Sequence, residues 1–161
     1  ALGGPGLVAV FWPGLTHLDA LVGLPPLPLR PLRLALGALL AVPGLYLMVA
    51  SNQSLRRLGH GANAFVLTKE IVAVDIYRRT RNPMSLGYYL VALSLALIAG
   101  STLLLLTVVF GLIPAHLFFL KYFEEQELEL RLGEAYKKYR GEVPFLLPHW
   151  RSDGQDERAA Q

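Results

Sequence analysis

The chain has 161 residues, of which 53% are hydrophobic and only 17% are charged, and its mean hydropathy is +0.42. Soluble domains carry about 25% charged residues, so this composition indicates a membrane protein and argues against an ordinary soluble fold. Its net charge of +3 comes from basic residues that flank apolar runs, which argues against a nucleic-acid-binding face, and the absence of cysteine excludes disulfides, thiolate metal sites and a cysteine nucleophile.

The first apolar run, residues 7–24, is long enough to cross a bilayer. It contains Pro13, His17 and Asp19, which are unusual in a simple membrane span, so whether this run crosses stays open. Residues 24–31 carry four prolines and therefore predict a stiff connector that is not helical throughout.

The second apolar run, residues 32–50, is almost entirely Leu, Ala, Val and Gly and predicts a membrane span with a kink at Pro43. The basic residues Arg56 and Arg57 mark its polar exit. Residues 65–76 are too few and too charged to cross a bilayer, so we expect them to form an interfacial segment that covers a site.

The third apolar stretch, residues 84–123, is twice as long as one crossing requires. Its only turn signal is the sequence Gly100, Ser101, Thr102 near the middle, so the stretch predicts a helical hairpin of two short spans. Pro114 is expected to bend the returning span. Because both flanks of the hairpin are rich in Lys and Arg, its open end is expected on the cytoplasmic side.

The C-terminal part changes character at residues 123–139, where charged residues alternate with apolar ones every three or four positions and predict an amphipathic helix leaving the membrane. Residues 143–150 contain two prolines and predict an extended strap against the body. The predicted fold is therefore an all-α integral membrane bundle of about four transmembrane helices with a C-terminal amphipathic cytoplasmic helix. We expect N-terminal transmembrane helices in residues 1–54, a core with the hairpin in residues 55–150, and a polar tail in residues 151–161.

Two polar segments meet the hairpin at its open end. One contains Arg81, Asn82 and Pro83, and the other begins with Glu124 and Glu125. Adjacent glutamates on a helix point about 100° apart, so we expect at most one to face into the bundle. The pair is either a solvated helix start, where the helix dipole stabilises a negative charge by about 0.3–1 kcal/mol, or part of a pocket for a cationic or hydroxyl-bearing ligand.

Several short motifs follow one another in a fixed order between residues 58 and 148. They are Gly59-His60-Gly61, Tyr77-Arg78, Arg81-Asn82-Pro83-Met84, Glu124-Glu125, Gly133 with Tyr136 and Tyr139, and Val143-Pro144. In this order they resemble the membrane-embedded S-adenosylmethionine-dependent methyltransferases, which include isoprenylcysteine carboxyl methyltransferases and phospholipid N-methyltransferases. The resemblance covers more than half of the chain and implies a methyltransferase with S-adenosylmethionine as its cofactor.

The resemblance also implies which residues form the site. The cofactor-binding candidates are His60, Gly61, Lys69, Glu70, Ile71, Val72, Tyr77, Asn82, Pro83, Ser85, Glu124 and Glu125. Catalytic roles fall to Arg81 and Glu125, and contacts to a lipophilic substrate fall to Tyr88, His116 and Lys121. A sulfonium cation is attracted by carboxylate charge and by aromatic faces, which suits this set. No metal site is implied.

The chain departs from the family pattern at three places. Asp75 stands where the family usually has a glycine, and Ser85 where it often has an aromatic residue. Leu120-Lys121 stand where carboxyl methyltransferases have an arginine. The clamp for a prenylcysteine carboxylate is therefore not identified, and the acceptor stays open between a carboxylate and a lipid amine. A carboxylate is already deprotonated at neutral pH, whereas an ammonium must first lose a proton, for which His60 or a glutamate is a candidate acceptor.

Two other functions stay open on the sequence alone. One is a membrane NAD(P)H-dependent reductase of sterol-type enones, which shares the Arg-x-Pro turn and the late Gly-x-x-Tyr helix, and the other is a non-catalytic membrane subunit. The expected partners are membrane lipids and a lipophilic substrate that arrives through the bilayer, with no nucleic acid and no indicated protein partner. We expect an integral protein of the cytoplasmic or inner membrane whose site faces the cytoplasm.

Overall fold

The computed structural model of the protein describes residues 19–58 and 75–148, and every regular element within these two ranges is helical. The elements are helix α1 (Arg30–Leu58), a single 3-10 turn (Asp75–Arg78), and helices α2 (Pro83–Ala99), α3 (Thr102–Leu132) and α4 (Glu134–Glu142). The all-α class is therefore confirmed for this part of the chain. Most of the predicted first span and nearly all of the interfacial segment lie outside the described residues.

Two helices in the described ranges, α1 and α3, are long and apolar enough to cross a membrane. Helix α2 is also apolar but has only 17 residues. Helix α1 exposes large apolar side chains along its length, among them Leu39, Val42 and Leu45. Such a surface is costly in water and compatible with lipid. The membrane character expected from composition thus corresponds to two candidate spans.

Helix α1 continues eight residues beyond the expected end of the second span at Ala50. The polar side chain of Ser51 does not end it, because Ser51 Oγ donates a hydrogen bond of 2.6 Å to the Leu47 carbonyl one turn earlier. A hydroxyl that bonds to a carbonyl of its own helix can lie inside that helix without ending it. The basic residues Arg56 and Arg57 therefore belong to the last turn of α1, where cations favour the helix dipole.

Helices α1 and α2 pack closely because small residues occupy their crossing. A Cβ atom added to Gly87 would lie 2.7 Å from the Gly44 carbonyl oxygen, and one added to Gly44 would lie 3.0 Å from the Gly87 carbonyl oxygen. In lipid there is little hydrophobic force between helices, so close backbone approach supplies much of the association energy. The pair is thus built on contact between backbones.

The predicted hairpin turn is present at the predicted residues. Helix α2 ends at Ala99, and Gly100 follows with φ of 73°, a left-handed conformation that favours glycine. Ser101 then caps α3, since its hydroxyl accepts a hydrogen bond of 3.1 Å from the Leu104 N–H. The chain therefore reverses with both helix ends satisfied.

Two residues from the N-terminal part complete this closed end of the hairpin. Arg33 Nη1 donates to the carbonyls of Leu97 and Ile98 at 3.1 Å each, at the C-terminus of α2. The buried Asp19 carboxylate accepts a hydrogen bond of 2.8 Å from the Leu103 N–H, at the N-terminus of α3. Each charge thus lies at the helix end whose dipole it complements.

Helix α3 contains two turns that are wider than those of an α-helix. In Thr107–Leu112 and Leu120–Glu124 the N–H groups bond to carbonyls five residues earlier, as in a π-helix. The first wide turn ends two residues before Pro114, which lacks an N–H and would clash with the carbonyl four residues before it. The proline is thus accommodated by a changed hydrogen-bond pattern on its N-terminal side.

The C-terminal helix expected over residues 123–139 is divided into two. Helix α3 ends at Leu132, and Gly133 has φ of 58° and ψ of −136°, so the backbone leaves the helical conformation there. Helix α4 starts anew at Glu134. Residues 143–148 follow without regular structure. The break turns α4, with its buried Tyr136, back toward the body of the protein.

Candidate functional site

A buried ion pair joins the two polar segments at the open end of the hairpin. Arg81 Nη1 donates to Glu125 Oε1, and the two side chains are only 7% and 5% exposed. Lys121, one turn before Glu125, places its ammonium 3.3 Å from the second carboxylate oxygen. The turn before α2 and the end of α3, 44 residues apart, therefore form one site.

The wide turn of α3 decides which glutamate faces Arg81. Inserting one residue into a helical turn rotates the following side chains by about 100°. Here the insertion ends at Glu124, and Glu125 is the carboxylate that is buried against the guanidinium. Glu124 is partly buried, and within the described ranges no lysine or arginine pairs with it. Its electrostatic neighbours include the phenols of Tyr77 and Tyr136.

The predicted strap is confirmed for residues 143–148, which lie along the turn that precedes α2. Three hydrogen bonds hold it: from Thr80 Oγ1 to the Leu146 carbonyl at 2.8 Å, from Asn82 Nδ2 to the Phe145 carbonyl at 2.9 Å, and from the Arg81 N–H to the Pro144 carbonyl at 2.9 Å. Thr80, which is fully buried, and Asn82 thus each donate a side-chain hydrogen bond to the strap. The position of Arg81 consequently depends on residues more than 60 positions later in the chain.

The aromatic ring of Phe145 lies close to both cations of the site. The Arg81 guanidinium carbon is 5.5 Å and the Lys121 ammonium 5.4 Å from the ring centroid. At these distances a ring attracts a cation through its quadrupole. Phe145 therefore links the strap to both cations of the site.

Three tyrosines surround the ion pair. Tyr139 donates a hydrogen bond of 2.8 Å from its hydroxyl to the Tyr77 carbonyl. Burial raises the pKa of Tyr77 to about 12, although a hydrogen bond with Ser51 acts in the opposite direction. Burial also raises the pKa of Tyr139 and of Tyr136, the latter with a smaller contribution from the Glu125 charge. All three phenols are therefore neutral hydrogen-bond donors at physiological pH.

A second polar contact lies deeper in the hairpin. The Tyr89 hydroxyl and His116 Nδ1 are 2.9 Å apart, and so join α2 to α3. The Tyr88 ring meets the imidazole edge-on at a centroid distance of 6.0 Å, and the Phe119 ring stacks on it at 6.4 Å. Two of the residues expected to contact substrate, Tyr88 and His116, are thus neighbours.

The structure brings together most of the described candidates. Pro83, buried in the first turn of α2, and Ser85, partly buried in the same turn, follow directly after Arg81 and Asn82. The candidates that lie outside the described residues are His60, Gly61, Lys69, Glu70, Ile71 and Val72. Sequence reasoning did not find the contacts of Thr80, Tyr89 or Phe145, and the only signals for them were a hydroxyl before the Arg-x-Pro turn, a doubled tyrosine and an aromatic residue after the Val-Pro pair.

A scan against models of protein families matches residues 32–135 to the phospholipid methyltransferase family. The matched range runs from α1 into α4 and includes Arg81, Lys121, Glu124 and Glu125. No curated protein and no solved structure matches the chain. Because the family match covers more than half of the chain, the resemblance is confirmed, and the protein is a member of the phospholipid methyltransferase family.

Proposed function

We propose that the protein is an integral membrane enzyme that transfers a methyl group from S-adenosylmethionine to a lipophilic acceptor. The observation that carries this proposal is the Arg81–Glu125 pair, which builds one polar site from the two segments that the resemblance assigns to the cofactor. Membership of the phospholipid methyltransferase family supports the reaction class, and this family is generally S-adenosylmethionine-dependent.

The residues present fit this cofactor, which carries a sulfonium and an ammonium beside a carboxylate. Glu124 offers a partly buried carboxylate close to the phenols of Tyr77 and Tyr136, which suits a cation. Arg81 Nε is buried without a hydrogen-bond partner, so it suits an anionic or hydroxyl oxygen. A ligand with charges of both signs would therefore satisfy groups that the described residues leave available.

The two glutamates have different roles in this proposal. Glu125 is already neutralised by Arg81 and Lys121, so its carboxylate has little charge left to attract a sulfonium, and we assign it to positioning Arg81. Glu124 is the cofactor's cation partner. The remaining proposed cofactor contacts are His60, Gly61, Lys69, Glu70, Ile71, Val72, Tyr77, Asn82, Pro83 and Ser85, and the proposed substrate contacts are Tyr88, His116 and Lys121.

The chain's contribution to the reaction is binding, orientation and exclusion of water. The cofactor, when bound, supplies an electrophilic methyl group for in-line transfer. The strap and Phe145 cover the cationic side of the site and keep Arg81 in one position. Holding acceptor and donor in line in a dry site lowers the barrier without requiring a covalent enzyme intermediate.

We further propose a four-span topology with the site at the cytoplasmic face. Residues 7–24 would add a span before α1, and α2 would serve as the short arm of the hairpin. Its 17 residues rise about 26 Å, a few Å less than the roughly 30 Å of hydrocarbon, and such a mismatch is inexpensive. The exposed Arg56 and Arg57 at the end of α1 support a cytoplasmic location for the open end of the hairpin. The domain limits remain residues 1–54, 55–150 and 151–161.

Titration calorimetry on the purified protein in detergent tests the proposal. We expect heat of binding with S-adenosylmethionine and none with NADPH, and the absence of heat with S-adenosylmethionine would overturn it. Glu124→Gln is expected to weaken binding by about tenfold or more, since a hydrogen bond or ion pair to a charged group contributes about 1.5–3 kcal/mol. Glu134→Gln, which changes an 87% exposed glutamate at the start of α4, is the matched control and should leave the affinity unchanged.

A further inference from the structure

The contact between Tyr89 and His116 is a polar contact inside an apolar hairpin. Tyr89 is 3% exposed, and the imidazole of His116 is partly buried between α2 and α3. His116 lies nine residues before Glu125, or about 13 Å deeper along the helix axis. Ionisable residues at such a depth are costly and generally mark a functional pathway. The reaction proposed above gives this pair no role beyond substrate contact.

The geometry leaves one imidazole nitrogen available. Nδ1 is 2.9 Å from the Tyr89 hydroxyl, and no residue within 19–58 or 75–148 forms a hydrogen bond with Nε2. Stacking on Phe119, at an interplanar angle of 9°, and the edge-on contact with Tyr88 hold the ring plane. When Nδ1 donates its proton to the Tyr89 oxygen, the lone pair of a neutral histidine is on Nε2. In that tautomer the ring is a proton acceptor whose other nitrogen is oriented by a neighbour.

An aromatic strip connects this histidine with the carboxylates at the end of α3. The strip consists of His116, Phe119 and Phe123, whose rings stack in sequence at interplanar angles of 9° and 17°. Phe119 is 51% and Phe123 58% exposed, so the strip lies on the outer surface of α3, a candidate membrane span. Aromatic faces attract ammonium groups as well as apolar chains. A lipophilic amine therefore has a continuous surface between the membrane and the site.

We propose that His116 Nε2 accepts the proton of an ammonium-bearing lipid substrate and that Tyr89 is its positioning residue. The inference rests on the proposed function and narrows its acceptor to an amine. The substrate N–H bond breaks, the proton goes to Nε2, and the electron pair stays on nitrogen. That pair forms the new N–C bond to the methyl group of the sulfonium donor, while the C–S bond breaks and its electrons return to sulfur. The products are a methylated ammonium and a neutral thioether, and the imidazolium then returns its proton to solvent.

The groups facing His116 are compatible with a transient positive charge on its ring. From α2 the titratable neighbours are Tyr88 and Tyr89, and on α3 the nearest charged residues are Lys121 and Glu124, five and eight positions further along. Tyr89, the hydrogen-bond partner of the ring, interacts electrostatically with Glu124. The Tyr88 and Phe119 rings against the imidazole stabilise a positive charge on it.

Methylation kinetics test the proposal with purified protein in mixed micelles, S-adenosylmethionine, and either phosphatidylethanolamine or an S-farnesylated cysteine analogue as acceptor. We expect His116→Gln to lower kcat for the amine by about 10²-fold or more at neutral pH, with calorimetric affinity for S-adenosylmethionine unchanged. The deficit should shrink as pH rises toward the pKa of the amine, because the free amine then needs no acceptor. Tyr89→Phe should lower kcat more than it changes KM, and Tyr46→Phe, which removes an exposed hydroxyl on α1, is the control.

A readout that does not depend on turnover is nitrogen NMR of protein labelled at its four histidines, with His116→Gln providing the assignment. We expect the neutral His116 ring to carry its proton on Nδ1 and to have an unprotonated Nε2. Tyr89→Phe should change the ratio of the two neutral tautomers. A neutral ring protonated on Nε2 would overturn the proposal.

Three kinetic results would also overturn it. One is a His116→Gln protein that methylates phosphatidylethanolamine at the wild-type rate, and another is a deficit that stays constant with pH, as expected if the contact only clamps two helices. The third is a wild type that methylates the farnesylated carboxylate alone, or neither acceptor, while binding S-adenosylmethionine. A wild type that does not bind S-adenosylmethionine would instead refute the proposed function itself.

Discussion

Arg81 and Lys121 both contact Glu125, yet removing them is expected to have very different costs. Two unit charges 3.3 Å apart attract by about 1.3 kcal/mol in bulk water and about 5 kcal/mol at the effective dielectric constant of 20. Lys121 is 54% exposed, so its contribution should be near the aqueous figure, and exposed pairs contribute about 0–1 kcal/mol. Arg81 is 7% exposed, and removing one member of a buried pair costs about 3–5 kcal/mol because the other charge remains buried.

The test is a double-mutant cycle on the free energy of unfolding, measured by titrating the detergent-solubilised protein with a denaturing detergent. Arg81→Met should cost about 3–5 kcal/mol and Lys121→Met about 1 kcal/mol or less. Adding Glu125→Met to Arg81→Met should recover much of the loss, because a buried pair replaced by apolar groups of similar volume is close to neutral. Lys137→Met, from an exposed pair with Glu134, is the control and should have almost no effect. Equal costs for Arg81→Met and Lys121→Met would refute the reasoning from burial.

Three further predictions concern packing, pH and the strap. Gly87→Ala should lower the midpoint of thermal unfolding, because the added Cβ would meet the backbone of α1, whereas Gly141→Ala, with open space around it in α4, should leave the midpoint unchanged or raise it. Between pH 10 and about 12 the unfolded chain loses the Tyr77 proton while the folded protein keeps it, so the free energy of unfolding should fall with rising pH in that window. Tyr77→Phe should make this dependence on pH less steep. A pH dependence that the substitution does not change would contradict the burial of this phenol. Phe145→Leu should weaken calorimetric binding of S-adenosylmethionine by loosening the contact with both cations, and an unchanged affinity would show that the strap acts only on stability.

The hairpin turn between α2 and α3 and the meeting of the two polar segments could be predicted because strong local signals specify them. Gly100 and Ser101 are a consecutive glycine and hydroxyl residue near the middle of a long apolar stretch, and they occupy the left-handed turn and the cap that such residues favour. Once the hairpin is accepted, Arg81 and Glu125 have to lie at the same end of it. The strap followed from its prolines.

Other features depended on details that the residue pattern does not encode. A wide turn of α3 leaves no compositional signal, so the choice of Glu125 over Glu124 as the partner of Arg81 required coordinates. Ser51 looked like the end of a span, although its hydroxyl bonds to a carbonyl of its own helix. Gly133 lies in a charged, helix-prone sequence, where a single glycine is often tolerated, but here its backbone is not helical.

The contacts of Arg33 bear on which helices depend on one another. Carbonyl groups at the end of a membrane helix are costly until they find donors, and Arg33 supplies donors to those of Leu97 and Ile98 from the preceding helix. Helix α1 therefore satisfies the polar C-terminus of α2 with a residue that precedes α3 in the chain. The pair does not need α3, which carries both glutamates of the site, to satisfy these carbonyls.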